Sequence, residues 1–165
     1  MVDFVSKLSY NVNDLRELMS LLRGPNGCPW DREQTHESIR SNMIEEAYEA
    51  ADAIDSNNTE YLIEELGDVL MQVVFHADIA ERANKFTLDD IADATCKKLI
   101  RRHPHVFGEV KANTGDDSLA FWEDVKEMEN TLRQHGIKFY NMSLEEMRTQ
   151  YQKILRVNSE ELEKE

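Results

Sequence analysis

Apolar residues recur along this chain every three or four positions and nowhere alternate convincingly with period two, a pattern that predicts helices and no strands. A first helix is expected from about Asn13 to Arg23, with Leu15, Leu18, Met19 and Leu22 on one face, stopped by Gly24-Pro25-Asn26-Gly27. A second is expected to start after Trp30-Asp31 or Thr35 and to reach about Asp55 along the stripe Ile39, Met43, Ala47, Ala50 and Ile54. Ser56-Asn57-Asn58 breaks it, and Thr59 offers a cap for a third helix, about Glu60 to Ala83. That helix is expected to bury Leu62, Leu66, Val69, Leu70, Val73, Ala77 and Ala80. A fourth follows a Thr87-x-x-Asp90 cap and ends near Arg102, because Pro104 disfavours helix at the residue before it. His103 to Gly115 reads as a loop. Ser118 reads as the cap of a fifth helix to about Gln134, closed by Gly136. Ser143-x-x-Glu146 reads as the capping box of a sixth, to about Arg156, with an acidic tail from Asn158. The expectation is an all-α helical bundle of five to six helices.

Length and composition narrow the class. With 165 residues the chain suits one domain, 1–165, and 41% hydrophobic against 32% charged residues is an ordinary globular balance. The net charge of -14 sets the surface against a nucleic-acid polymer as partner. Cys28 and Cys96 are the two cysteines and form no C-x-x-C, which speaks against a disulfide scaffold or thiolate zinc site and for a reducing, cytoplasmic location. No apolar run approaches the roughly 20 residues that cross a bilayer, and Met1-Val2-Asp3-Phe4 lacks the basic start of a signal peptide, so no membrane role is expected.

The candidate chemistry is acidic. The second helix carries Glu45-Glu46-x-x-Glu49 and the third carries Glu65-x-x-Asp68. Residues three apart share a helix face, so Glu46 projects with Glu49, and Glu65 with Asp68, each pair bordering an apolar arc. If the helices pack through those arcs, four carboxylates converge. Such a group must take up protons or bind cations, and oxygen-only ligands suit a hard ion such as Mg²⁺. The alternative is a pair of solvated helix faces. Gly67 between the two acids costs helix stability, about 1 kcal/mol relative to Ala, so a packing or functional reason is expected for it. A di-iron site would call for Glu-x-x-His on two helices, and the one match, Glu33-x-x-His36, lies near a loop without a partner.

These residues carry a resemblance. The string from Gly24 to Thr35, Gly-Pro-Asn-Gly-Cys-Pro-Trp-Asp-Arg-Glu-Gln-Thr, resembles the N-terminal signature of MazG proteins. The E-E-x-x-E and E-x-x-D motifs resemble the metal motif of the wider all-α pyrophosphohydrolases, which include dimeric dUTPases. Lys98 to Phe107 and Trp122-x-x-x-Lys126 are also MazG-like, and together the segments cover about Leu18 to Asn130. The resemblance implies a MazG-like domain with a motif-bearing core of about 13–130 and a C-terminal helical extension of about 131–165. It implies hydrolysis of nucleoside triphosphates to the monophosphate and pyrophosphate, dependence on Mg²⁺ with Mn²⁺ as a possible substitute, and a homodimer or higher homo-oligomer. Glu46, Glu49, Glu65 and Asp68 are implied as metal ligands. Glu45 is implied as adjacent and supporting, and Lys98, Arg102, Trp122 and Lys126 as substrate-binding; as catalytic residue, whichever of Glu49 and Glu45 is not saturated by metal is expected to orient or deprotonate the water. Some family domains carry a basic residue four positions before the second Glu of the motif, where this chain has Asn42.

Structural readings stand beside these. Lys98 and Arg102 lie in the last turn of their helix, where cations oppose the dipole. Trp122 reads as core, the usual fate of a large aromatic on a helix, Trp30 as loop packing with Asp31 as a cap, His103 and His105 as loop-ordering, and Met43 and Met71 as core filler. A catalytically silent helical dimerisation or regulatory module is the functional alternative.

Overall fold

The computed structural model describes residues 4–162, with side chains described through Val157. All regular structure among them is helical: α1 (Val12–Leu22), α2 (Pro29–Glu33), α3 (Arg40–Asp55), α4 (Thr59–Arg82), α5 (Leu88–Arg102), α6 (Pro104–Phe107), α7 (Gly115–Gln134) and α8 (Leu144–Leu162). Eight helices replace the expected five to six, because the Pro-led segments after Cys28 and His103 each close a short turn of their own. Proline at the first helical position is preset for helix and lacks the N–H that would go unpaired there.

Local chemistry sets the boundaries. Asn11 and Asp14 form a capping box at α1, and Asn58, rather than Thr59, caps α4 by accepting from the amides of Glu60 and Tyr61. Thr87 with Asp90 and Ser143 with Glu146 make the two reciprocal caps expected from their spacing. Thr114 with Asp117 caps α7 in place of Ser118, so that helix starts earlier than expected. Asp31 caps nothing; it lies in the first turn of α2, whose N-cap is Cys28. Helix α8 continues past Arg156 to Leu162, and the end of the acidic tail lies outside the described residues.

The chain divides into two compact units, Met1–Ile91 and Ala92–Glu165. In the first, α3 and α1 both pack against α4 around Met19, Ile39, Val74 and Phe75, with Leu15, Met71, Ile79 and Leu88 against them. Each such side chain stabilises the unit by about 1.5–3 kcal/mol when removed from water. In the second, α7 packs on α8 around Val125, Met128, Leu132, Phe139, Met147 and Ile154.

The buried face of α4 is not the expected one. Ala77 and Ala80 are buried, but Leu66 and Leu70 are exposed, and the inward positions include Glu65, Gln72, Val74 and Phe75. Ile39, the N-cap of α3, and Ala50 and Ala53 within it are buried, while Ile54 is exposed and Ala47 is open to solvent. Both helices are apolar on more than one side, so periodicity alone does not choose which side faces the neighbour. Large residues of both helices, Ile44 and Tyr48 of α3 and Ile63, Leu66 and Leu70 of α4, are left bare. Gly67 has no atom within 4 Å of where a Cβ would stand, so of the packing or functional reason expected for it, packing among the described residues does not supply one.

Candidate metal centre and nucleotide site

The first unit builds the acidic site on the α3–α4 seam. Glu46 and Glu49 descend from α3 and Glu65 from α4, and one carboxylate oxygen of each lies within 4.8 Å of the others. Glu65 is only 7% exposed, Glu46 is half-buried and Glu49 is open to solvent. Asp68 does not join that group of three, but its charge acts on both Glu46 and Glu65. Glu45 is exposed, one residue from Glu46, and adds to the negative field there.

The electrostatics follow from the geometry. Burial, then the charge of Asp68, raises the Glu46 carboxyl above its ordinary pKa, with Glu49 and Glu45 pushing the same way and a hydrogen bond from Gln72 opposing. Burial, then Glu49 and Asp68, raises Glu65. Tyr61 is raised as well, by burial and then by the charges of Glu65 and Glu49. Gln72, 4% exposed, donates from Nε2 to Glu46 Oε1 at 3.4 Å. Its own Oε1 and the Oε2 of Glu65 are buried without a hydrogen-bond partner among the described residues. Buried acceptors left unpaired cost about 1–3 kcal/mol each, and a divalent cation relieves both that cost and the repulsion. The residues therefore fit a hard, oxygen-ligated ion.

The segment between α1 and α3 is held by Arg23, the C-cap residue of α1. Its guanidinium donates from Nε to Asp78 Oδ2 at 2.7 Å, from Nη2 to the Gln34 carbonyl at 3.3 Å and from Nη1 to the Asp31 carbonyl, and lies 4.8 Å from the Phe75 ring centroid. Gly27 makes the preceding loop possible. A Cβ there would meet the Leu21 and Leu22 carbonyl oxygens at 2.2 Å, and the next amide, of Cys28, donates to the Leu22 carbonyl at 2.7 Å.

The basic candidates belong to the second unit. Arg102 Nη2 lies 2.6 Å from Glu129 Oε2, and its guanidinium carbon stands 4.6 Å from the Trp122 ring centroid. Arg101, itself buried, holds the other oxygen of Glu129 at 2.9 Å. Trp122 is half-buried, edge-on to His103, rather than packed in the core. Lys126 pairs with Glu123 at 3.1 Å, and Lys98 is half-buried with no partner among the described residues.

Sequence reasoning missed Gln72, Arg101 and Glu129. Gln72 stands seven residues beyond Glu65 and Glu129 seven beyond Trp122, so each shares a face with a residue already singled out. His36, weighed for iron, lies instead with its Nδ1 2.8 Å from Nδ1 of His76.

Residues 34–107 match the MazG nucleotide pyrophosphohydrolase domain. This segment is a MazG domain. The matched segment holds all four acids together with Lys98 and Arg102, runs from the first unit into the second, and leaves Trp122 and Lys126 beyond its end. Over 116 residues this chain is 51% identical to the nucleoside triphosphate pyrophosphohydrolase/pyrophosphatase MazG of Thermotoga maritima, covering 70% of this chain and 44% of that protein. Over 127 residues it is 44% identical to the nucleoside triphosphate pyrophosphohydrolase of Escherichia coli, covering 76% of this chain and 48% of that one. Over 130 residues it is 48% identical to the uncharacterized protein YabN of Bacillus subtilis, covering 79% of this chain and 27% of that one. The chain thus spans from about a quarter to about half the length of these relatives.

Proposed function

We propose that this protein hydrolyses nucleoside triphosphates to the monophosphate and pyrophosphate, using Mg²⁺, or Mn²⁺ in its place. The observation that carries the reading is the approach of Glu46, Glu49 and Glu65 to within 4.8 Å with a buried, unpartnered Glu65 oxygen among them. The names of the Thermotoga and Escherichia relatives support it.

Glu46, Glu49 and Glu65, with Asp68 beside them, would hold the ion. When bound it neutralises phosphate oxygens and polarises the phosphorus toward attack. Glu49, the open member of the group, orients a water and accepts its proton, with Glu45 as the other candidate on the exposed side. The water oxygen bonds to phosphorus as the bridging P–O bond to pyrophosphate breaks. Lys98 and Arg102 offset the charge growing on the leaving group. Trp122 and Lys126 of the second unit are further candidates for contact with the nucleotide in this reading, and residues 1–165 are read as one MazG-like domain.

We also assign the bare face of Ile44, Tyr48, Ile63, Leu66 and Leu70 to a homodimer or higher homo-oligomer. Gly67, open on the same stretch of α4, would let a second backbone approach. Cys28 and Cys96 are both free, which suits a cytoplasmic location.

The test is product analysis with ATP, GTP, CTP and UTP in Mg²⁺ and again in EDTA. The proposal expects pyrophosphate and monophosphate in equal amounts, abolished by chelation. Orthophosphate with diphosphate, or release indifferent to EDTA, contradicts it, and no release from any nucleotide favours a silent module.

A further inference from the structure

Arg101 and Arg102 follow one another in the last turn of α5, roughly 100° apart around the helix, and would ordinarily point in different directions. Both instead reach one carboxylate, that of Glu129 on α7, which is 2% exposed. Its Oε1 accepts from Nη2 and Nε of Arg101 at 2.9 and 3.3 Å, and its Oε2 from Nη2 and Nε of Arg102 at 2.6 and 3.2 Å.

The two guanidinium groups are not equivalent. Arg101 is buried and fully engaged, with Nη1 donating to the Tyr140 carbonyl at 3.3 Å. Arg102 keeps its Nη1 without a hydrogen-bond partner among the described residues, and its guanidinium carbon stands 4.6 Å from the ring centroid of the half-buried Trp122. Charge decides what such a cluster can do. Glu129 with Arg102 alone would be a neutral pair, with nothing left over for an anion. Two cations on one carboxylate leave one net positive charge, presented at the free edge of Arg102. Apolar residues of similar volume often serve a fold as well as a buried ion triad, so stability alone does not account for it.

Resting on the hydrolase reading, in which Arg102 offsets charge on the leaving group, we propose that Glu129 and Arg101 are positioning residues for Arg102. Glu129 holds the Arg102 guanidinium in one orientation against Trp122, so that it is ordered on folding rather than on binding. Arg101 cancels the charge of Glu129, so Arg102 meets an anion as a cation and not as half of a neutral pair.

Two substitutions at Arg101 separate charge from structure. Arg101→Lys and Arg101→Gln both lose the fork on Glu129, but only the second leaves the cluster neutral. Pyrophosphate is titrated into each folded variant by isothermal calorimetry in EDTA, and kcat and KM for ATP are measured in Mg²⁺. Arg101→Gln should bind pyrophosphate about 13- to 160-fold more weakly than Arg101→Lys, the worth of one charge-assisted hydrogen bond. Equal affinities in the two overturn the proposal. Glu129→Gln keeps both cations and loosens their hold, so kcat should fall about 2- to 13-fold, the effect of ordering one long side chain, while pyrophosphate binds no more weakly than to the native protein. A purely structural role lowers kcat, pyrophosphate affinity and urea stability together, and that parallel loss, or an unchanged kcat, also overturns it. Should Glu129→Gln fail to fold, the Arg101 pair decides alone. Pyrophosphate binding that depends on the charge at residue 101, in a protein that turns over no triphosphate, keeps the positioning roles and removes the hydrolase. Turnover and affinity unchanged in Arg101→Gln do the reverse.

Discussion

Glu65→Gln separates a repulsive metal site from a decorative acidic surface, because the two predict opposite changes. Gln is close to isosteric and removes one of three carboxylates whose oxygens lie within 4.8 Å, at the most buried position of the three. Without metal, the substitution relieves repulsion, so the melting temperature should hold or rise. With metal at 100 times its dissociation constant, the native protein gains about 2.7 kcal/mol. For a chain of this length, that is roughly 5–11 °C in Tm, at about 2–4 °C per kcal/mol. If losing a ligand weakens the site about 100-fold, the same metal concentration only equals the new dissociation constant. The gain then falls to about 0.4 kcal/mol, roughly 1 °C. Differential scanning fluorimetry of both proteins in EDTA and in Mg²⁺ or Mn²⁺ reads all four values. A variant that melts lower in EDTA yet keeps the full metal shift refutes the reasoning on both counts.

The pH dependence follows from the same group. Glu46 and Glu65 sit above the ordinary carboxylate range, so the folded state binds more protons than the unfolded one, and metal-free stability falls as pH rises from about 4.3 through the raised pKa values. His76, pushed below its ordinary value by burial and by His36, works the other way, losing stability as pH falls below about 6.5. Subtracting native from Glu65→Gln urea stabilities in EDTA cancels His76, and the difference should grow from near zero at about pH 4 toward neutrality; a flat difference contradicts it. In the second unit, Glu129 is 2% exposed and shared by Arg101 and Arg102. Glu129→Ala strands two guanidinium groups and should cost about 3–5 kcal/mol in urea unfolding, so a loss below about 1 kcal/mol would show that the pairing is not what holds them. Ile63→Asp with Leu66→Asp places charge on the bare α4 face and should convert an oligomer to monomer in sedimentation velocity. An unchanged mass removes that face as the interface.

The acidic motif and the helices around it were legible because both depend on local spacing. Glu46 and Glu49, three apart, share a face whatever the tertiary context, and Ser143-x-x-Glu146 caps α8 by groups within one turn. What spacing does not carry is the choice among faces. Leu66 and Leu70 look like core by hydrophobicity, but α4 turns Glu65 and Gln72 inward instead, and only the packed seam shows it. The role of the Gly24–Thr35 string was readable as a resemblance but not as physics. The sequence does not reveal that Gly27 is required by two carbonyls of α1 or that Arg23 holds the Asp31 carbonyl. Arg102 shows the same limit from the other side. Its helix-end position was plain, while its pairing with Glu129, 27 residues on, was not.

Crystals grown with Mn²⁺ and a non-hydrolysable triphosphate, with diffraction collected at the manganese edge, test the central claim most directly. The account predicts an anomalous peak bonded to oxygens of Glu46, Glu49 and Glu65 and to the phosphate chain. Manganese bound elsewhere, with those three carboxylates turned apart into solvent, would contradict it.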